Sequence, residues 1–361
     1  MLPNAHEHET DSGAVVIEEQ SVQEYLDSFM DTTPSTTTES NVSGNILFGR
    51  VVCCESSRSL YCQDCCRLLV PDHSVPAPIS SRRRGNSEGD KSFDYSGGRP
   101  LVLPFNLHII LDDRRGSATG LHAVVLMNGT DDMSVTHYAS KDTPNTEVSN
   151  VRSSTIGSVK LVDLATDEIP KSRECDDSAF LLFPSPGVSV PLESVASKVR
   201  TLVVLDCKWT KSKLCRTDED LSSLPKVHLS SPPEKSFYWR WHNAGPGMLS
   251  TIEAIYYAAV ETMRIKHKLL LDAGQISQSD SRNLLIDRNN LIHLLWLFGH
   301  QRAATFKSAE HAGILAPGTD EGKEMQRAMR KQKGTWRQLR HKEDERRLNE
   351  RIKLKASRNK I

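Results

Sequence analysis

The sequence predicts an α/β domain built on a largely parallel sheet with flanking helices. Short apolar runs of strand length alternate with helical segments between residues 101 and 229, two longer helical stretches follow, and Ser/Thr-rich or charged residues gather at the two ends. Strands that alternate with helices are the pattern of parallel sheets. The chain has 361 residues, 37% hydrophobic and 25% charged, enough for one sizeable domain with tails or for two small ones.

In chain order, residues 1–45 are acidic and rich in Thr and Ser, as in the run TTPSTTTES, and read as a disordered tail with at most a short transient helix from Val16 to Met30. Residues 46–70 form a Cys-rich element. Residues 71–98, rich in Pro, Ser and Gly and carrying Arg82-Arg83-Arg84, read as a linker. The main domain spans 99–306. Within it Leu107 to Leu111 is an apolar run of strand length, and Ser117 opens a helix to Met127 that Asn128-Gly129 stops. Thr155 to Leu164, Phe180 to Phe183, Thr201 to Asp206 and Val227 to Leu229 read as strands, and Pro191 to Arg200 as a helix. Longer helices are expected from Thr251 to about Leu271 and from Asp280 to about Phe306. Residues 307–361 form a basic tail: from Glu321 onward fifteen Lys and Arg stand against six acids.

Formal net charge is zero, so no global field points to a nucleic-acid partner, and any such role rests on local charge. The first residues lack a basic n-region and an apolar h-region, which predicts no secretory leader. No apolar run reaches the roughly 20 residues of a membrane span. Eight cysteines without a leader point to a reducing compartment, where clustered thiols serve as metal ligands more often than as disulfides.

Five features carry chemistry. The strand Thr201 to Asp206 delivers Asp206, and then Trp209, to the carboxyl edge of the sheet, where open α/β folds bind ligands; capping of the next helix by Asp206 is the structural alternative. Ser250-Thr251-Ile252-Glu253 has capping-box spacing, and amides at such a helix start also hold anionic groups. The aromatics Phe237, Tyr238, Trp239 and Trp241 interleaved with Arg240 suit stacking on nucleobases, or equally a packed aromatic cluster. Cys62-x-x-Cys65 has half-site zinc spacing, to which Cys54 would add a third ligand; a thiol-rich loop or degenerate knuckle without metal is the alternative. The basic tail suits sequence-independent affinity for nucleic acid, with a nuclear-import signal or a simply solvated surface as the alternatives.

In this order along the chain, the segments resemble the DTW-domain family, and within it the tRNA-uridine aminocarboxypropyltransferases that act on uridine 20 of the D-loop. The resemblance runs from Cys54 to about Ala304. It is carried by Ser57-Arg58 with Tyr61-Cys62-x-x-Cys65, Leu103-Pro104-Phe105, Thr119-x-x-His122-Ala123, Phe183-Pro184-x-Pro186, Asp206-x-x-Trp209, Phe237-x-Trp239-Arg240 and the block LSTIEAIYYA from Leu249 to Ala258. It implies a SPOUT-like, knotted fold and S-adenosyl-L-methionine as donor substrate. It also implies transfer of the 3-amino-3-carboxypropyl group to N3 of uridine, with release of methylthioadenosine. By the same resemblance Asp206 is the catalytic residue. Phe183, Pro184, Asp206, Trp209, Ser250, Thr251 and Glu253 line the donor site, Trp239 and Arg240 meet RNA, and zinc on Cys54, Cys62 and Cys65 is an added expectation. The partner is tRNA, with no membrane and no obligate protein partner, and the location is the nucleus and also the cytoplasm.

The chain departs from the family pattern in places. Lys208 stands where the family tetrad Asp-x-Thr-Trp has its Thr, Leu111-Asp112-Asp113-Arg114-Arg115 replaces a His-Pro-x-Glu-like motif, and Val51 replaces a first cysteine. A SPOUT-type RNA methyltransferase and an inactive RNA-binding or assembly factor are the competing readings.

Overall fold

In the computed structural model the described residues are 12–31, 51–53, 56–58, 60–70, 74–84, 99–127, 157–165, 167, 178–208, 218–239 and 248–311, with short helical stretches between 319 and 334. Two compact units are distinguished: Met1–Ser236 with Pro246–Gln301, and Phe237–Gly245 with Arg302–Ile361.

Early in the first unit, β1 (Val51–Cys53) pairs antiparallel with β2 (Ser56–Arg58), and β3 (Tyr61–Cys62) with β4 (Arg67–Leu68). The unit is organised by a parallel sheet. Its strands are β5 (Asn106–Leu111), β6 (Val159–Asp163), β7 (Ala179–Leu182), β8 (Val190–Pro191), β9 (Thr201–Asp206) and β10 (Lys226–His228), in the spatial order β6-β5-β9-β7-β10-β8. Every pairing in this sheet is parallel; β9 lies at the centre between β5 and β7, paired with β5 in the register Asn106↔Thr201 through Leu111↔Asp206. Strands covered on both faces read as unbroken apolar runs, which is why NLHIIL and TLVVLD lack the alternation of a half-exposed strand. Pro191 lies on the edge strand β8, where a residue without an N–H is tolerated.

Several sequence expectations change. Residues within the expected disordered tail form helix α1 (Ser12–Asp31), which docks through Val22 and Leu26, both fully buried. The Tyr25 hydroxyl lies 3.1 Å from His293 Nδ1, and the Phe29 ring covers Gly299. The linker contains helix α2 (Ala77–Arg84). The helix expected over 191–200 is a 3-10 turn, Leu192–Ser194, followed by further turns; Leu192, Ala196 and Val199 are buried, so the spacing marks the inner side of a coiled loop.

The two faces of the sheet have different neighbours. On one lies α3 (Leu121–Met127), every residue of which is buried. On the other, Ile110, Leu181 and Val203 pack with Leu221 and Leu224, at and just after the short helix α4 (Glu219–Ser223). Alternation along the strand turns Leu202, Val204 and Asp206 toward the α3 side. Helix α5 (Thr251–Asp272) shares that side. From Ile255 to Met263 every residue of the helix is buried, so this stretch is enclosed on all sides rather than on one apolar stripe. Lys266 donates through Nζ to the carbonyls of Pro104 and Val199, just ahead of β5 and β9. From Thr251 to Lys266 a helix climbs roughly 22 Å, and a six-residue strand covers about 20 Å. Helix α5 therefore spans the sheet from its carboxyl edge, at Thr251, to its amino edge, at Lys266. Burial lowers the Lys266 ammonium from its ordinary value.

The last long helix expected from the sequence is divided into α6 (Gln278–Asn290), a 3-10 segment Leu291–Leu295 and α7 (Trp296–His311). No helix among the described residues is long and apolar enough to cross a membrane. In the second unit, the Tyr238 and Trp239 rings lie 4.9 Å apart, and the Arg302 guanidinium sits 4.7 Å above the Phe306 ring.

Candidate functional site

A parallel sheet brings the ends of all its strands to one edge, and Asp206 closes the central strand there. Its side chain is on the α3/α5 face and only 5% of the residue is exposed. Leaving a carboxylate without partners at such a depth would cost several kcal/mol. Two elements supply them. Oδ2 accepts from the Gly120 amide at 2.6 Å, and Oδ1 accepts from the Thr251 hydroxyl at 3.0 Å. The Asp112 amide donates to the Asp206 carbonyl at 3.0 Å and carries the β5–β9 pairing one residue further.

The carboxyl is pushed up from 3.8 to about 6. Burial is the largest cause, the Gly120 and Thr251 hydrogen bonds oppose it, and the negative charge of Asp113 adds to it. An acid with a value near 6 is mostly ionised at neutral pH yet remains a useful proton acceptor, the range suited to a general base.

Gly120 permits this contact. A Cβ there would lie 2.7 Å from Asp206 Oδ2, 3.1 Å from Thr251 Cγ2 and 3.2 Å from Ile109 Cγ2. Beside it, Thr119 Oγ1 accepts from the Ile252 amide at 3.4 Å, so the turn ahead of α3 is joined to the first turn of α5. Sequence reasoning does not single out Gly120, although it marks Thr119 and His122 on either side. The signal exists in kind: a glycine where a loop meets a helix, within a motif. His122 is fully buried, with Nε2 3.4 Å from the Tyr61 hydroxyl. Burial lowers it to about 4, so it is neutral at physiological pH.

The start of α5 is fixed by its own residues. Glu253 is fully buried, and its Oε2 accepts from the Ser250 amide at 2.9 Å, the Ser250 hydroxyl at 2.6 Å and the Ser236 hydroxyl at 2.7 Å. This is the capping role that the spacing predicts. Thr251 is half-buried, facing Asp206. Phe183 follows β7 at the same edge; its amide donates to Val227 and its ring packs on the Ile110–Val203 cluster. Pro184 and Lys208 are exposed. The loop after Pro184 is braced by Ser189, whose hydroxyl meets Ser185 and, at 3.0 Å, His228 Nδ1. Asp206, Thr251, Phe183 and Lys208 thus belong to one sheet edge, with the Phe183 ring on the face opposite the Asp206 carboxyl.

Trp209, Arg240 and Cys54 lie outside the described residues. Trp239 is 2% exposed beside Tyr238, the packed arrangement that its spacing also allows.

The Cys62–Cys65 turn has the amide of Cys65 donating to the Cys62 sulfur at 3.4 Å, and Cys66 in the left-handed region at φ 52°. No group of three metal-type ligands gathers among the described residues, and no chemistry is assigned to a metal here. Arg115 holds this turn to the sheet: Nε donates to Asp163 Oδ2 at 2.8 Å, and Nη1 to the carbonyls of Asp64 at 3.0 Å and Gln63 at 3.4 Å. Arg115→Met removes the Nε hydrogen bond to Asp163, at the carboxyl end of β6, and the Nη1 bonds to the carbonyls of the turn. The variant is expected to lose about 1–3 kcal/mol in chemical denaturation, and wild-type stability would overturn this account of the clamp.

Comparison with known proteins gives three findings. The family model described as DTW domain matches residues 155–285, from the approach to β6 into α6. No curated protein matches. A solved structure, that of the SAM-dependent rRNA:acp-transferase Tsr3 from Vulcanisaeta distributa, is similar over 62% of this chain and 96% of its own at 18% identity, with a TM-score of 0.27, too low to bear on the fold or the site.

Proposed function

We propose that this DTW-domain chain is an RNA-uridine aminocarboxypropyltransferase with S-adenosyl-L-methionine as donor, and that its substrate is uridine 20 of the tRNA D-loop. The DTW match supports the class of chemistry, and one observation carries the catalytic reading: a carboxyl poised near 6 at the carboxyl end of the central strand, between the turn ahead of α3 and the first turn of α5.

Uridine N3 is a weak acid and an ineffective nucleophile until its proton leaves. Asp206 takes up that proton, a contribution typically worth about 10²–10⁴-fold. The donor reacts at its methionyl γ-carbon, so the site has to present that carbon rather than the methyl group. Phe183 and Pro184 wall the donor together with Trp209, while the first amides of α5, whose start is fixed by the Ser250–Glu253 capping box, favour its carboxylate. Arg240 and the basic tail serve the RNA; Trp239, next to Arg240 in the sequence, is buried and packed rather than stacking on a base. The reading brings with it the knotted, SPOUT-like path of the loops at this edge and a place of action in the nucleus and cytoplasm.

The test is nucleoside mass spectrometry of tRNA from cells lacking the protein, with purified protein, donor and unmodified tRNA as the second arm. Aminocarboxypropyluridine at position 20 is expected to disappear and to be restored in vitro with release of methylthioadenosine. S-adenosylhomocysteine as by-product would instead indicate a methyltransferase, and RNA binding without any product would indicate an inactive binding factor.

A further inference from the structure

Asp206 presents almost no surface of its own, while Thr251, whose hydroxyl donates to it, is half-buried at the same edge. We propose that Thr251 is a catalytic residue that relays the proton: its hydroxyl faces the nucleobase, and Asp206 acts through it. The inference rests on the transferase reading above.

The geometry favours a relay over direct contact. Both carboxylate oxygens are engaged, Oδ2 by the Gly120 amide and Oδ1 by the Thr251 hydroxyl. Each oxygen keeps a further lone pair, but with the residue only 5% exposed the Gly120 turn and the first turn of α5 leave a base little surface of Asp206 to reach. Both are pinned, the turn by Thr119 Oγ1 on the Ile252 amide and the helix by Glu253 on Ser250 and Ser236. A hydroxyl that already donates to a carboxylate has lone pairs left to accept a proton. As N3 of uridine forms its bond to the methionyl γ-carbon, the carbon–sulfur bond breaks and its electron pair goes to sulfur. The N3 proton passes to Oγ1 of Thr251, and the hydroxyl's own proton passes to Oδ1 of Asp206. The sulfonium and carboxylate charges are discharged together, leaving neutral methylthioadenosine and a neutral carboxyl.

The experiment compares wild type, Thr251→Val and Thr251→Ser in steady-state transfer with S-adenosyl-L-methionine and unmodified tRNA, with circular dichroism to confirm the fold. Valine keeps the shape and the Cγ2 packed near Gly120; serine keeps the hydroxyl and loses the methyl. Thr251→Val is expected to lower kcat by about 10²-fold or more with little change in either KM, and Thr251→Ser to recover most of it. A role confined to packing predicts the reverse order, with valine the better replacement, and that result overturns the relay. Transfer by Thr251→Val at the wild-type rate also overturns it while leaving the function standing. Absence of transfer by wild type overturns the function and the relay with it.

Discussion

Replacing Asp206 by Asn is expected to lower transfer by about 10²–10⁴-fold while leaving the protein at least as stable at neutral pH. The two halves have one cause. The amide carbonyl still accepts from Gly120, and the amide nitrogen donates to the Thr251 hydroxyl, so the hydrogen bonds of the site survive in number. What disappears is a buried charge and its ability to take a proton. With the carboxyl raised from 3.8 to about 6, the native protein holds a proton between roughly pH 4 and 6 that the unfolded chain has released. Stability from this group is therefore greatest below pH 4, falls as pH rises through that window and is level above 6. The fall is on the order of 2–3 kcal/mol, because each tenfold change in proton affinity corresponds to roughly 1.36 kcal/mol. The Asn variant lacks it, so urea unfolding at pH 4, 5, 6 and 7 should show the difference in stability between variant and wild type growing in the variant's favour up to pH 6. A difference that is flat with pH would show that Asp206 is not held as described, and full transfer by the folded variant would remove it as the base.

Gly120→Ala acts on the same carboxylate by volume. The added Cβ lies within 2.7 to 3.2 Å of atoms from β9, α5 and β5, and none of the three is the end of a long flexible chain. Asp206 could turn aside only by giving up the Gly120 amide, the Thr251 hydroxyl or both. Overpacking of this kind costs about 1–3 kcal/mol and at times more, and transfer should fall at least as far as in Thr251→Val. The decisive measurement is a double-mutant cycle by chemical denaturation. In an Asp206→Ala background the nearest obstacle is gone, so the cost of Gly120→Ala should shrink by about 1 kcal/mol or more. Additive costs would mean that the clash is not the cause.

The sheet is more legible in the sequence than its covering. Every main strand from β5 to β10 except the two-residue β8 overlaps an expected strand, and the clearest, β5, β7 and β9, are inner strands whose burial leaves a nearly unbroken apolar run. Helix α5 begins where Ser250 and Glu253 predict, since a capping box is local chemistry. What local chemistry does not contain is contact across the chain. Helix α1 lies in an acidic, Ser/Thr-rich stretch, and its order depends on where Val22, Leu26 and Phe29 find partners, near His293 and Gly299. Leu192, Ala196 and Val199 have helical spacing but lie on turns, because burial alone sets which of them face inward. At the site, Asp206 and Thr251 are legible as residues, but not as partners of each other or of Gly120. Their link becomes visible only when β9, the turn ahead of α3 and α5 meet.

That meeting has a consequence for how the protein is made. The bonds that complete the site join residues 45, 86 and 133 positions apart. At typical synthesis rates, roughly 7 to 27 seconds separate the emergence of Thr119 from that of Ile252. Through that interval α3, all seven of whose residues end up buried, waits without the helix that will cover it. The nascent chain therefore carries an exposed apolar segment for seconds before it has an active site, and its yield in the cell depends on keeping that segment from other chains until α5 arrives.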